Sequence, residues 1–479
     1  MSPQKVFLLL TATRWFPVGL VVSITTLLPI ERGLTVGQTL TLASVTGLVV
    51  FALELPTGGT ADAVGRRPML VASAVAQVLA ATTFLLAQSL WAFFAAAALM
   101  GLFRALDSGP LEAWFVDTVH AEHPGVDVDR TLAHQGTVLG VSIALGALVS
   151  GGLVWWHPLT AWSALALPYA VYCVLAVAHL VMVALLVREA PRRAGTDTTA
   201  ARGSRRRWSA ALRSVADSAR EAPASIASGL RLARDNRVLR GLLLVELFAS
   251  TAMVVFESLQ PVRLAELLGG EAQAGAVMGP VASIGWGTFA LGAALCGLAT
   301  RRFGVARTAM ASRVLNGLGA VWMGLAGGPA MLVVAYLVTY GLHGGSGPSY
   351  NALLHREARR ENRSTVLSMA SMLAFAAYAV ASPALGWVAQ GWSTPLAMML
   401  GGGFSVLGVL CFLPALRAER ERARRGGAGI SAEVVADADV VADEEVAAAG
   451  EAADGVAGGA DASAAQVAGK AAAEDAAAV

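Results

Sequence analysis

The chain has 479 residues, of which 56% are hydrophobic and only 14% charged. Soluble proteins run at about 25% charged, so this composition leaves too few polar side chains to coat several water-facing domains and excludes a soluble multidomain enzyme. The formal net charge of +2 hides a polarity, because basic residues crowd the middle of the chain and acidic ones its end.

A helix needs about 20 apolar residues to cross the hydrocarbon of a bilayer. In chain order, the apolar runs predict spans over 5–30, 38–57, 68–87, 89–116, 131–156 and 163–187. Lys5 precedes the first run, and no small-residue cleavage site closes it, so a retained span is expected there rather than a removed signal peptide. The second span is followed by Gly58-Gly-Thr-Ala-Asp62-Ala-Val-Gly65-Arg66-Arg67, and the fourth contains Ser108-Gly109-Pro110. Next comes an Arg-rich segment, 188–237, with Arg205-Arg206-Arg207-Trp208 and a stretch, Ala210 to Arg234, whose apolar spacing suits either a basic amphipathic helix on a membrane surface or a plain solvated linker. A second set of spans is predicted over 239–261, 275–299, 305–327, 329–354, 364–389 and 393–416. The rest, 417–479, is rich in Ala, Gly, Val, Asp and Glu from Glu433 to Asp475 and is expected to be disordered, because it cannot bury enough apolar surface to offset its ordering entropy.

The two sets give an N-terminal six-helix bundle, 1–187, and a C-terminal one, 238–416, and internal signals relate them. Gly297-Leu-Ala-Thr-Arg301-Arg302-Phe-Gly304 follows the eighth span as the Gly58 segment follows the second, 239 residues apart, and Ser346-Gly347-Pro348 lies in the tenth span 238 residues after its counterpart. Lys and Arg fall almost wholly in loops on one side, with only Arg32 and Arg263 on the other. The bias of basic residues toward the cytoplasm puts both termini and the central segment inside, in a multi-pass protein of the plasma (inner) membrane. Trp91, Trp155, Trp156, Trp162 and Trp392 then fall at outer span ends, where amphipathic rings anchor. Cys173, Cys296 and Cys411 stand apart in apolar stretches and indicate neither a disulfide framework nor a thiolate metal site.

Gly58, Asp62, Gly65, Arg66 and Arg67 match the signature carried between the second and third helices of the major facilitator superfamily, and the chain resembles that family over about 5–416. Glu54-Leu55-Pro56-Thr57 and the run Ser108 to Asp117 are similar to the versions in drug-exporter-like members. Ala63 stands where the family usually has Arg or Lys. In Gly146-Ala147-Leu148-Val149-Ser150-Gly151-Gly152, similar to an antiporter pattern, Ala147 and Ser150 replace a proline and a glycine. The resemblance implies an all-α fold of twelve transmembrane helices in two pseudo-symmetric bundles, with helices 1, 4, 7 and 10 lining a central cavity. It also implies that Gly58, Asp62, Gly65, Arg66 and Arg67 form a conformational latch, the arginine pairing with Asp117.

An ionisable group inside a span is costly unless paired, so each is a functional candidate. Arg14 lies in the first span, and Arg104, Asp107 and Glu112 in the fourth. Asp107 is at the depth of Arg14 and could pair with it across the cavity; a bridge to Arg104, three residues away on one helix face, serves equally well. Glu246 and Glu257 in the seventh span are eleven residues apart, about 20° past three turns of an α-helix, which puts both on one face. His343 in the tenth span is either a cavity group or a hydrogen-bonded core histidine.

These residues suggest a secondary transporter working by alternating access, most simply proton-coupled efflux of a small amphipathic or apolar compound, with uptake as the runner-up. The expected partners are that substrate, protons and the lipid bilayer, with no nucleic acid, cofactor or metal, and a monomer is the expected state. A membrane enzyme would need a catalytic cluster, and the chain has no nucleotide loop, HExxH or Gly-x-Ser-x-Gly; a non-transporting sensor would leave the buried charges without a role.

Overall fold

Within a bilayer every backbone N–H and C=O must find a partner inside its own segment or a closed sheet, so apolar segments of this length become helices. The computed structural model describes residues 1–58, 65–188, 227, 229, 231–358, 362–422 and 424, and the regular structure among them is helical throughout. In chain order the long helices are α1 (Pro3–Val22), followed by a short helical piece Leu27–Glu31, α2 (Val36–Gly58), α3 (Arg66–Leu86), α4 (Leu90–Glu122), α5 (Asp129–Trp156) and α6 (Ala166–Leu186). The second half has α7 (Arg237–Leu268), α8 (Glu271–Phe303), α9 (Val305–Gly324), α10 (Pro329–Glu357), α11 (Arg363–Gly391) and α12 (Thr394–Leu407), which runs into a 3₁₀ turn, Gly408–Phe412. Among the described residues, 10 helices are long and apolar enough to cross a membrane. The two outside that set are α9, which carries Arg307, Arg313 and Asn316, and α10, whose middle is rich in Gly and Ser.

Packing repeats between the halves. In the first, α1 packs on α5 and α6, α3 on α4 and α6, and α2 on α4; raising each number by six gives α7 on α11 and α12, α9 on α10 and α12, and α8 on α10, and each of these pairs is also in contact. The halves meet through α2 with α11 and α5 with α8, two pairs that exchange under the same rule. Together the helices form one compact unit, Met1–Ala418.

Helix ends repeat as well. Arg32 donates to the carbonyls of Phe84 (3.2 Å) and Ala87 (2.6 Å), capping the C-terminal end of α3, while Arg263 donates to the carbonyl of Ala326 (3.5 Å) after α9, 239 residues on from Ala87. The only two arginines expected on the outer side therefore both cap helices.

With no water between membrane helices to drive association, close backbone approach supplies much of the contact. A Cβ on Gly279 of α8 would lie 2.4 Å from Cα of Gly151 in α5, so this inter-half contact exists only because both residues lack one. Gly146, the first residue of the antiporter-like stretch that also contains Gly151, packs against Gly19 and the Phe16 carbonyl of α1, and Ala147 and Ser150 between the two glycines are fully buried. On the other side Gly37 N–H donates to Gln390 (3.2 Å), Ser382 to the Leu40 carbonyl (2.9 Å) and Ser44 to the Ala379 carbonyl (2.5 Å).

Two sequence expectations meet a different structure. The fourth span is not one unbroken helix: Gly109 sits at φ 90°, ψ −18°, a left-handed geometry that glycine adopts freely, and Pro110 starts a new segment. The seventh contains a π-helical turn, Val255–Leu259, whose consequence for Glu257 follows below. Asp62, Arg205 to Trp208, residues 210–226 of the basic stretch and the acidic tail from Glu433 to Asp475 lie outside the described residues.

Candidate functional site: charges buried between the helices

Arg14 and Asp107 meet. Nε of Arg14 in α1 donates to Oδ2 of Asp107 in α4 at 2.8 Å, and Ser73 of α3 donates to Oδ1 at 3.2 Å. Of the two pairings open to Asp107, this is the one adopted. The Arg14 side chain is only 6% exposed, and its guanidinium carbon lies 4.0 Å from the ring centre of Phe103 and 4.6 Å from that of Trp15, so it is held by one carboxylate and two aromatic faces. Asp107 is the last residue before the break in α4, which leaves its carboxylate at a free helix end between α1 and α3.

Arg104 does not face Asp107. It projects into the space between the halves, 5.5 Å from the Phe375 ring of α11 and within electrostatic range of Glu257 in α7. Glu257 is exposed there, while Phe256 beside it packs on Tyr340 (5.9 Å) and on His343 (4.8 Å) of α10. His343 also lies 5.9 Å from Phe289 of α8, which makes it a member of an aromatic cluster. Ser258 and Tyr378 hydroxyls bond at 2.8 Å alongside.

Glu246 goes elsewhere. Its carboxylate lies 4.0 Å from Nη2 of Arg313 in α9, with side chains 13% and 10% exposed, and Ser250 one turn on bonds to the Ala374 carbonyl of α11. The expectation that Glu246 and Glu257 share a face fails because a π turn has more residues per turn than an α turn, and the one that starts at Val255 has already changed the angle per residue by Glu257, which lies inside it. Glu257 therefore turns into the cavity, while Glu246 packs inside the second half. π turns inside α-helices recur at functional sites, and this one carries the cavity's carboxylate.

Arg313 and His179 belong with these groups but were not singled out from the sequence, although the rule that makes intramembrane charges candidates applies to Arg313 without change. Nδ1 of His179 in α6 lies 2.9 Å from the Thr13 hydroxyl of α1, next to Arg14. Together with Glu112, which accepts from Gln135 of α5 at 2.9 Å, His179, Arg14 and Asp107 line a pocket of about 120 Å³ within the first half.

At the basic end, Nε of Arg66 lies 3.3 Å from Oδ2 of Asp117, and Arg67 donates to the Ala184 carbonyl of α6 at 2.8 Å. Gly65, at φ 108°, turns the chain into α3, a conformation costly for other residues. Gly58 closes α2.

Among the described residues no group of three or more His, Cys, Asp or Glu is placed to hold a metal ion. Comparison with curated proteins returned no match. Solved structures share the fold: the nucleoside transporter NupG (10% identity, TM-score 0.67, covering 86% of this chain and 98% of that one), a POT family transporter in complex with a thioalcohol conjugated peptide (14% identity, TM-score 0.63, 86% and 95%) and the peptide transporter POT in complex with sulfate (15% identity, TM-score 0.62, 87% and 94%). The family model of the Major Facilitator Superfamily matches residues 7–289 and 281–442, and the chain belongs to that superfamily of transporters.

Proposed function

We propose that the protein exports a small amphipathic or apolar compound in exchange for protons, by alternating access, with Asp107 as the proton site and the space between the halves as the substrate site. The observation that carries this reading is the buried Arg14–Asp107 pair. Ionised, Asp107 holds Arg14 between α1 and α4; protonated, it no longer compensates that charge, and the arrangement of the two helices becomes unfavourable. A proton on Asp107 thus biases the relative position of helices that border the cavity, as coupling requires. Arg104 and Glu257, one from each half, give the cavity its polar contacts among Phe375, Tyr378, Tyr340 and Phe256.

Export rests on the resemblance of Glu54 to Asp117 to drug-exporter-like members. The runner-up is proton-coupled uptake of a polar solute. It is favoured by the facing charges Arg104 and Glu257 and by the solved neighbours, which include proton dependent oligopeptide transporters. In either case twelve spans, cytoplasmic termini, an inner-membrane location and a monomer complete the proposal, with bundles 1–187 and 238–416, a basic cytoplasmic segment 188–237 and an acidic tail 417–479. The segment from Gly58 to Arg67, with Asp62 and the Arg66–Asp117 pair, serves as the latch of one state.

The direct test uses inverted membrane vesicles with an acidic lumen and the compounds that build up in cells lacking the protein. Accumulation of such a compound, abolished by Asp107→Asn, is expected; accumulation only in right-side-out vesicles means import, and full proton-driven transport by Asp107→Asn defeats the coupling assignment.

A further inference from the structure

The pocket of about 120 Å³ beside Asp107 is separate from the Arg104 and Glu257 groups. Its wall is polar at Arg14, Asp107, His179, Gln135 and Glu112, and apolar over the rest, which includes Leu139. Nη1 of Arg14 is buried and has no hydrogen-bond partner, which for a charged donor is costly unless something polar fills the space beside it. At the rim, Gly109 and Glu112 are exposed, and a Cβ on Gly109 would meet nothing within 4 Å, so the break in α4 opens the pocket. One water occupies about 30 Å³ in the liquid, which makes the pocket large enough for a short chain of waters.

We infer that this pocket is a water-filled proton route between Glu112 at its rim and Asp107 at its base, distinct from the path of the substrate. The inference rests on the reading of Asp107 as the proton site. A proton from solvent enters at the rim; each water along the chain accepts one proton and releases another, and the last is delivered to a carboxylate oxygen of Asp107, so that no water is consumed and one carboxylate charge is lost. Around Asp107 the charged and titratable groups are Arg14 from α1, Glu112 from α4, and Tyr172 and His179 from α6, while Arg104 of α4 turns toward Phe375; Ser73 from α3 and Gln135 from α5 are polar but do not titrate. Arg14 has a double part: its Nε fixes the carboxylate while Nη1 orders the nearest water. The break in α4, which the ion pair alone does not need, then has a reason, since it gives the route its mouth.

The test follows the proton itself, in the full-length protein in lipid membranes. After rapid acidification, infrared difference spectroscopy should show a carboxyl C=O band that is missing in Asp107→Asn. In Leu139→Trp, which fills the pocket, the band should appear at least tenfold more slowly, and in Leu145→Trp, on the exposed face of the same helix, at the native rate. If Leu139→Trp gains the band at the native rate, the route is wrong while the role of Asp107 stands; if Asp107→Asn removes no band, both fall. Should Leu139→Trp fail to fold, Leu139→Cys in a background with the three native cysteines changed to alanine replaces it. A small water-soluble thiol reagent should modify this cysteine at pH 8 and spare a cysteine at Leu145; an unreactive Cys at position 139 overturns the wet pocket.

Discussion

The tripeptide Ser-Gly-Pro occurs in both α4 and α10, at positions related by the repeat, yet it ends a helical segment in one and lies inside a continuous helix in the other. Proline removes one helical hydrogen bond and its ring presses on the carbonyl four residues back. In α10 that carbonyl belongs to Gly344, and the continuous helix packs closely on its neighbour: a Cβ on Gly344 would lie 2.1 Å from the Phe289 carbonyl, and one on Gly292 would lie 1.8 Å from the Gly341 carbonyl. The Ser346 hydroxyl bonds to the His343 carbonyl (2.7 Å) and that of Ser349 to the Ser346 carbonyl (3.2 Å), so polar groups near the proline are satisfied within the helix. In α4 the places of Gly344 and Gly345 are taken by Leu106 and Asp107, which prevent such close packing, and the carboxylate turns to Arg14 instead. One half spends the position on packing, the other on charge; the same three residues therefore predict a break only when the residues before them are also read.

The contrast is broken most severely by removing one member of an ion pair. Asp107→Ala leaves Arg14 buried and uncompensated and should cost about 3–5 kcal/mol, with Arg14→Met in the same background recovering most of it. Glu246→Ala, in the second half, should cost less, because the Arg313 contact is 4.0 Å long against 2.8 Å for Arg14. Thermal unfolding of the purified protein in detergent ranks all three, and equal losses at the two sites would mean that the pairs are equivalent structural bridges. The packing side is tested by Gly344→Ala, which drives a methyl into the α8 backbone and should cost about 1–3 kcal/mol. Unchanged unfolding in Gly344→Ala would show that α8 and α10 separate readily and that their close packing does not stabilise the second half.

Much of the framework was legible in the sequence because it rests on composition and periodicity: the apolar runs became helices, the repeat reappears in helix pairing, and the offset of 239 residues reappears between the Ala87 and Ala326 carbonyls that Arg32 and Arg263 cap. The site was less so. Arg14 and Asp107 could be placed at one depth, but choosing between Arg14 and Arg104 needs the rotation of α4 about its axis. Counting 3.6 residues per turn put Glu246 and Glu257 together, and a single π turn, Val255–Leu259, separates them. Arg313 was visible as an arginine in a span; its partner was not, because the pairing joins α7 to α9 and follows no repeat.

The smallest effect tests the comparison at its root. At Gly109 the backbone lies at φ 90°, where a side chain costs about 1–2 kcal/mol. The surroundings do not add to this, since a Cβ there meets nothing within 4 Å. Gly347, its counterpart, is helical, and its Cβ would likewise meet nothing within 4 Å. Alanine in a helix gains about 1 kcal/mol over glycine, but a residue before proline is disfavoured in the α conformation, so Gly347→Ala should fall within about 0.5 kcal/mol of the native protein. Both variants carry the same substitution before a proline, and both sites have room, which leaves backbone conformation as the difference between them. If thermal unfolding finds Gly109→Ala as stable as Gly347→Ala, α4 closes into a continuous helix without cost, and the break beside Asp107 is not a built feature of the first half.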